Sequence, residues 1–273
     1  MQDTDRTGYL PDLDRLSTLA ATILLAYALS RFVDLPTRQF AVQLPGIYLD
    51  VRFEAQSVVA LLVAALTAAG ADWLVRDHPA WKKYGGMEHW LLPALTAWAI
   101  GLPLSQAPIG AAWWIGFALG GALLILVLIA EYIVIDPDDA RQAPAAAGLT
   151  VVSFALFLVL ATSLRFAGLR LFLLLPALSL AGMLVSLRAL HLRLRGRWAY
   201  LPALVVTFVT LQLAAALHYW PLPPVSYGLA LLGPAYALTS LAGNLAEQEP
   251  LPQALLEPIV VLILVWGAAL WLL

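Results

Sequence analysis

The residues able to do more than pack are few, and most stand at the edges of apolar runs. Glu131 follows the wholly apolar run 122–130 and precedes Tyr132-Ile133-Val134-Ile135, with Asp136 the first residue back in water. Five residues of helix at about 1.5 Å rise put its carboxylate about 7–8 Å inside that boundary. There it opposes the dipole of the helix it ends, so it must be paired, protonated or bound to a cation. The favoured partner is Arg188, or another arginine of the same basic run, and the sharper reading makes Glu131 a general base or metal ligand. Glu88-His89-Trp90 opens another apolar stretch. Adjacent helical residues diverge by about 100°, so Glu88 and His89 face one ligand only if the helix begins between them. Glu88 otherwise reads as an acidic residue favourable to a helix N-terminus. His191 lies in the one basic cluster, with Arg188, Arg193, Arg195 and Arg197. These cations either enforce topology or bind a lipid headgroup or an acidic partner.

Other chemistry is excluded by missing residue types. The chain has no cysteine, which removes disulfides, thiolate nucleophiles and iron–sulfur ligands. It also lacks a His-Glu-x-x-His pair, a Gly-x-Ser-x-Gly nucleophile and a phosphate loop. His218 has no other histidine on its side of the membrane, so bis-histidine haem ligation has no second ligand. No metal and no cofactor are expected. Asp136-Pro137-Asp138-Asp139 together with nine spans resembles the intramembrane prenyltransferases, which need two acidic motifs, after their second and sixth spans. Here the loop after the sixth span is wholly basic, and the loop after the second offers only Asp77 between Arg76 and His78. Membership of that family does not follow.

The elements that must position these groups are set by composition. Of 273 residues, 62% are hydrophobic and 12% charged, and the mean hydropathy is +0.85. A soluble domain is nearer half apolar and a quarter charged. A net charge of -2 leaves no basic field for nucleic acid. The expectation is an all-α integral membrane protein, one polytopic domain over 1–273 with about nine transmembrane helices. Its spans fall near 16–33, 55–75, 89–105, 111–135, 147–164, 171–190, 201–219, 227–245 and 257–273. Ten of the fifteen basic residues then lie in the loops on the side of the N-terminus, which places the N-terminus in the cytoplasm and the C-terminus outside. The acidic leader before Ala26-Tyr27-Ala28 favours an uncleaved signal anchor over a cleaved peptide. In the first outer loop, 34–54, an alternating pattern around Pro45-Gly46 predicts a small β-hairpin.

The span centres carry no charge, which argues against a midplane ion pathway. Gly116, Gly120 and Gly121 form a small-residue face for close helix contact, within the chain or with a partner. The reading that follows is a bacterial inner-membrane protein serving as a non-catalytic subunit, assembly factor or scaffold. Its partners would be membrane lipids and other membrane subunits or a second copy. One alternative is an intramembrane enzyme on a lipid-like substrate at the cytoplasmic leaflet, using Glu131, Glu88, His89 and His191, with Arg193 or Arg195 on an anionic headgroup. Another is a transporter of a small or amphipathic solute.

Overall fold

Long runs of Leu, Ala, Val and Ile give the backbone no side-chain competitor for its hydrogen bonds, so in an apolar medium it closes them within itself as helix. The structure, a computed structural model, describes residues 10–32, 38–44, 47–53 and 55–273. In chain order these form α1 (Leu13–Phe32), β1 (Arg38–Leu44), β2 (Ile47–Phe53), α2 (Ala55–Val75), the short α3 (Trp81–Tyr84), α4 (Glu88–Gln106), α5 (Ala111–Val134), α6 (Gln142–Phe166), α7 (Leu171–Arg193), α8 (Tyr200–His218), α9 (Pro224–Ala246) and α10 (Leu251–Trp271). β1 and β2 pair antiparallel, Arg38 opposite Phe53 and Leu44 opposite Ile47. The connection at Pro45-Gly46, where the hairpin turn is expected, lies outside the described residues.

Eight helices among the described residues, every long one except α4, are long and apolar enough to cross a membrane. The ninth expected span is α4, diluted by Glu88, His89, Pro93, Pro103 and Gln106. Its position explains why it tolerates them. It packs against α1, α2, α5, α6 and α7, and Leu92, Leu95, Thr96 and Ala97 are at most 1% exposed. A helix walled in by protein need not be apolar all round. α10 is the opposite case, packed chiefly on α9 with Leu256, Ile263 and Leu264 exposed, as a lipid-facing helix would be. It begins at Leu251, six residues before the expected 257, because Pro250 and Pro252 are tolerated at a helix start.

The small-residue face of α5 is used inside the chain. A Cβ built on Gly120 would stand 2.6 Å from Ile100 of α4, and one on Gly121 3.0 Å from Leu24 of α1. Trp113 is 1% exposed, and its Nε1 donates to the Leu104 carbonyl at 3.1 Å. That carbonyl needs an outside donor because residue 108, four positions on, is a proline without an N–H.

The same logic recurs inside the helices. Pro234 orphans the carbonyl of Ala230, which accepts from Trp266 Nε1 at 3.2 Å. Pro258 orphans that of Ala254, which accepts from Asn244 Nδ2 at 2.7 Å. Both bonds tie α9 to α10. Asn244→Leu should therefore lower stability by about 1–2 kcal/mol, read as a shift in the denaturation curve in detergent. In a Pro258→Ala background, whose alanine cannot leave the Ala254 carbonyl without a donor, the same change should cost less. An equal loss in both backgrounds would show that Asn244 acts otherwise.

Candidate functional site

At the end of the bundle where α4 starts, α5 and α7 finish and α6 starts, the polar residues of the sequence come together. Glu131 and Arg188 are each 1% exposed. Arg188 Nε donates to Glu131 Oε1 at 3.0 Å, and Arg188 Nη2 donates to Glu131 Oε2. This is the bidentate guanidinium–carboxylate geometry, the strongest pairing available to two such groups. The expected partner of Glu131 is thus its actual one, and the cation offsets a carboxylate set against the α5 dipole. His89 completes the cluster, its Nδ1 2.9 Å from Glu131 Oε2.

Glu88 and His89 do act at one place. α4 begins at Glu88, with Met87 at its cap position, and both side chains line one cavity. Glu88 is the acidic residue of the first turn, as expected for a helix N-terminus. Its Oε1 also stands 3.8 Å from Nε2 of His89 and 3.8 Å from Nε2 of His191. The result is a file of alternating acids and imidazoles, Glu131, His89, Glu88 and His191, drawn from α5, α4 and α7. The ring of Trp198 packs on His191 with centroids 4.4 Å apart, which fixes the imidazole plane. His191 is 6% exposed, and its Nδ1 has no hydrogen-bond partner among the described residues.

These groups line a cavity of about 490 Å³ together with Asp138, Gln142 and Arg195. Asp138 belongs to the acidic run Asp136-Pro137-Asp138-Asp139, whereas Gln142, the first residue of α6, carries no signal of its own in the sequence. The basic run divides. Arg188 is spent on Glu131. Arg193, the last residue of α7, donates from Nη2 to Glu247 Oε2 at 2.7 Å and from Nη1 to the Ser240 carbonyl at 3.3 Å. Arg195 lies past the helix end in the left-handed region at φ 50, with the Gly196 N–H closing onto the His191 carbonyl at 3.0 Å. This turn ends the helix that would have carried Arg188, His191 and Arg195 on one face, yet it keeps Arg195 at the cavity. Arg197 is exposed and does not line it. Among the described residues no group of three or more His, Asp and Glu is arranged to hold a metal ion.

Beside the cavity, His78 follows α2. Its Nδ1 accepts the Ala80 N–H at 3.1 Å, and its ring meets Tyr132 edge-on with centroids 4.6 Å apart. Burial holds the His78 pKa below its ordinary 6.5, against the opposing pull of Asp136. On the same loop as Asp136, Asp139 is held below the usual carboxylate range by hydrogen bonds from Arg141.

Residues 35–272 match the family described as "Protein of unknown function (DUF5656)", and the chain belongs to that family. No curated protein and no solved structure matches the chain.

Two outcomes follow from the geometry. Glu131→Gln leaves the buried Arg188 guanidinium without its counter-charge and should cost about 3–5 kcal/mol, whereas joint replacement of Glu131 and Arg188 by leucine should recover most of it. Thermal unfolding in detergent distinguishes the two, and a double variant as weak as the single one would show that the pair is not the reason for the loss. His78 is protonated more readily unfolded than folded, so stability should decline as pH falls through about 6.5, and less steeply in His78→Gln. Unfolding midpoints between pH 7.5 and 5 measure that slope, which would be unchanged in the variant if His78 did not contribute.

Proposed function

We propose that this family member is a membrane enzyme that moves a proton on an amphiphile drawn into the cavity from the membrane surface. The observation that carries the reading is the way His89 is held. A carboxylate paired to a guanidinium can only accept, so the hydrogen of His89 lies on Nδ1 toward Glu131, and Nε2 keeps its lone pair. An imidazole oriented by a buried carboxylate is the arrangement of a general base, and Glu131 would stabilise the imidazolium formed when Nε2 takes a proton. Arg188 then acts as a positioning residue, fixing the carboxylate that fixes the base. Glu88, between the two imidazoles, gives the proton a path to His191 and the solvent.

The distribution of basic residues argues that this end of the bundle faces the cytoplasmic leaflet of a bacterial inner membrane, where amphiphile headgroups lie at the depth of the cavity. A scaffold or assembly role draws less support, because the Gly120 and Gly121 contacts are spent on Ile100 and Leu24 within the chain. Transport draws less support because the acids and imidazoles of the site gather at one end and do not continue across the bundle.

The test is to trap the substrate. His89→Gln should fold and keep its cavity but lose about 10²–10⁴-fold in rate, so gentle purification followed by mass spectrometry should find it carrying an amphiphile that the wild-type protein holds in a chemically altered form. The same lipids, unaltered and in equal amounts on both proteins, would contradict the enzyme reading.

A further inference from the structure

We infer that the cavity contains a subsite for a phosphate group, formed by Nδ1 of His191 and the guanidinium of Arg195. This rests on the reading of the cavity as a reactive site and names the chemistry of what enters it. Three observations converge. First, His191 is more than nine-tenths buried, lines the cavity and has an Nδ1 without a partner, which is costly in an apolar interior unless something outside the chain completes it. Second, the cations of this region are sorted by partner. Arg188 and Arg193 are held by Glu131 and Glu247, whereas Arg195 has no hydrogen bond or ion pair among the described residues and is the unmatched cation of the cavity lining. Third, Arg195 is held at φ 50, a conformation that disfavours side chains other than glycine and asparagine. Gly196 follows at φ 86, so the turn takes two left-handed residues in succession and only the second is a glycine. Strain of this kind gathers where side-chain placement matters.

A tetrahedral anion suits both groups. With its hydrogen on Nδ1, His191 donates to one oxygen while Nε2 lies toward Glu88, and Arg195 donates to a second oxygen from the rim. The lining also carries Glu88 and Asp138, which repel a bare anion but accept from a hydroxyl or ammonium group.

The experiment compares binding of phosphatidic acid with binding of the diacylglycerol of the same chains, by native mass spectrometry of the full chain in detergent, with inorganic phosphate as competitor. Wild-type protein should retain phosphatidic acid at least about tenfold better than diacylglycerol, and Arg195→Gln should remove about that factor, the size of one charge-assisted hydrogen bond. Arg195 is exposed, so the variant leaves the buried cluster intact. Arg197→Gln, which removes a cation from the same loop outside the cavity, should bind as wild type. Displacement by inorganic phosphate would assign the site to the free anion, and its failure to displace would assign it to the headgroup; either supports the subsite if Arg195 is required. Equal retention of the two lipids, or equal behaviour of the Arg195 and Arg197 variants, would overturn it. Arg195-dependent binding without conversion of any lipid by the wild type sinks the acid–base reading and leaves the subsite standing. Conversion that does not depend on Arg195 does the reverse.

Discussion

A chain that folds in an apolar medium must supply its own partner for every polar group it carries, because no water is at hand to do so. Most of what is distinctive here follows from that constraint. Carbonyls orphaned by Pro108, Pro234 and Pro258 are met by Trp113, Trp266 and Asn244, each from another helix or a later turn. Glu257, near the start of α10, accepts from Tyr236 and Ser240 of α9 at 2.5 and 2.7 Å. Tyr27 of α1 donates to the Ala97 carbonyl of α4. These bonds fasten the periphery to the centre where packing of one aliphatic surface on another distinguishes poorly between protein and lipid.

The same constraint sets the site apart. Glu131 and Arg188 neutralise each other and could be only a solved burial problem, since replacing such a pair by apolar residues is often harmless to stability. What goes beyond that solution is the company they keep. Glu131 also receives His89, His89 faces Glu88, and Glu88 stands equally far from His191. A pair kept for structure alone has no need of two imidazoles and a second carboxylate beside a cavity. At the opposite end of the bundle His218 also has a buried Nδ1 without a partner among the described residues, but there Arg165 is turned onto the carbonyls of His218 and Trp220, capping α8 as a cation at a helix C-terminus should.

Much of this was legible in the chain. Apolar runs of about twenty residues announce helices, and α2 begins and ends where the sequence puts it. The pairing of Glu131 with Arg188 was legible as well, because a carboxylate inside an apolar run needs a cation at its own depth. The contact of His89 with Glu131 was not, since it depends on α4 lying at the centre of the bundle, and the prolines that weaken α4 as a span obscure its central place. The partners of Pro234 and Pro258 had a readable signal that composition overlooks: a proline within a helix leaves a carbonyl four residues earlier in want of a donor, and Asn and Trp inside apolar runs are natural candidates. Of the left-handed turn after α7 the sequence marks only Gly196, at φ 86, and Arg195 beside it at φ 50 carries no such signal.

The central claim is that this end of the bundle leaves polar atoms open because a ligand completes them. An electron cryomicroscopy map of the full chain in lipid nanodiscs tests it most directly. Ordered non-protein density is expected in the cavity, within about 3 Å of His191 Nδ1 and of the Arg195 guanidinium, with His89 still bonded to Glu131. A cavity closed by Arg195 turned onto Asp138, with His191 Nδ1 bonded to the protein itself, would contradict it.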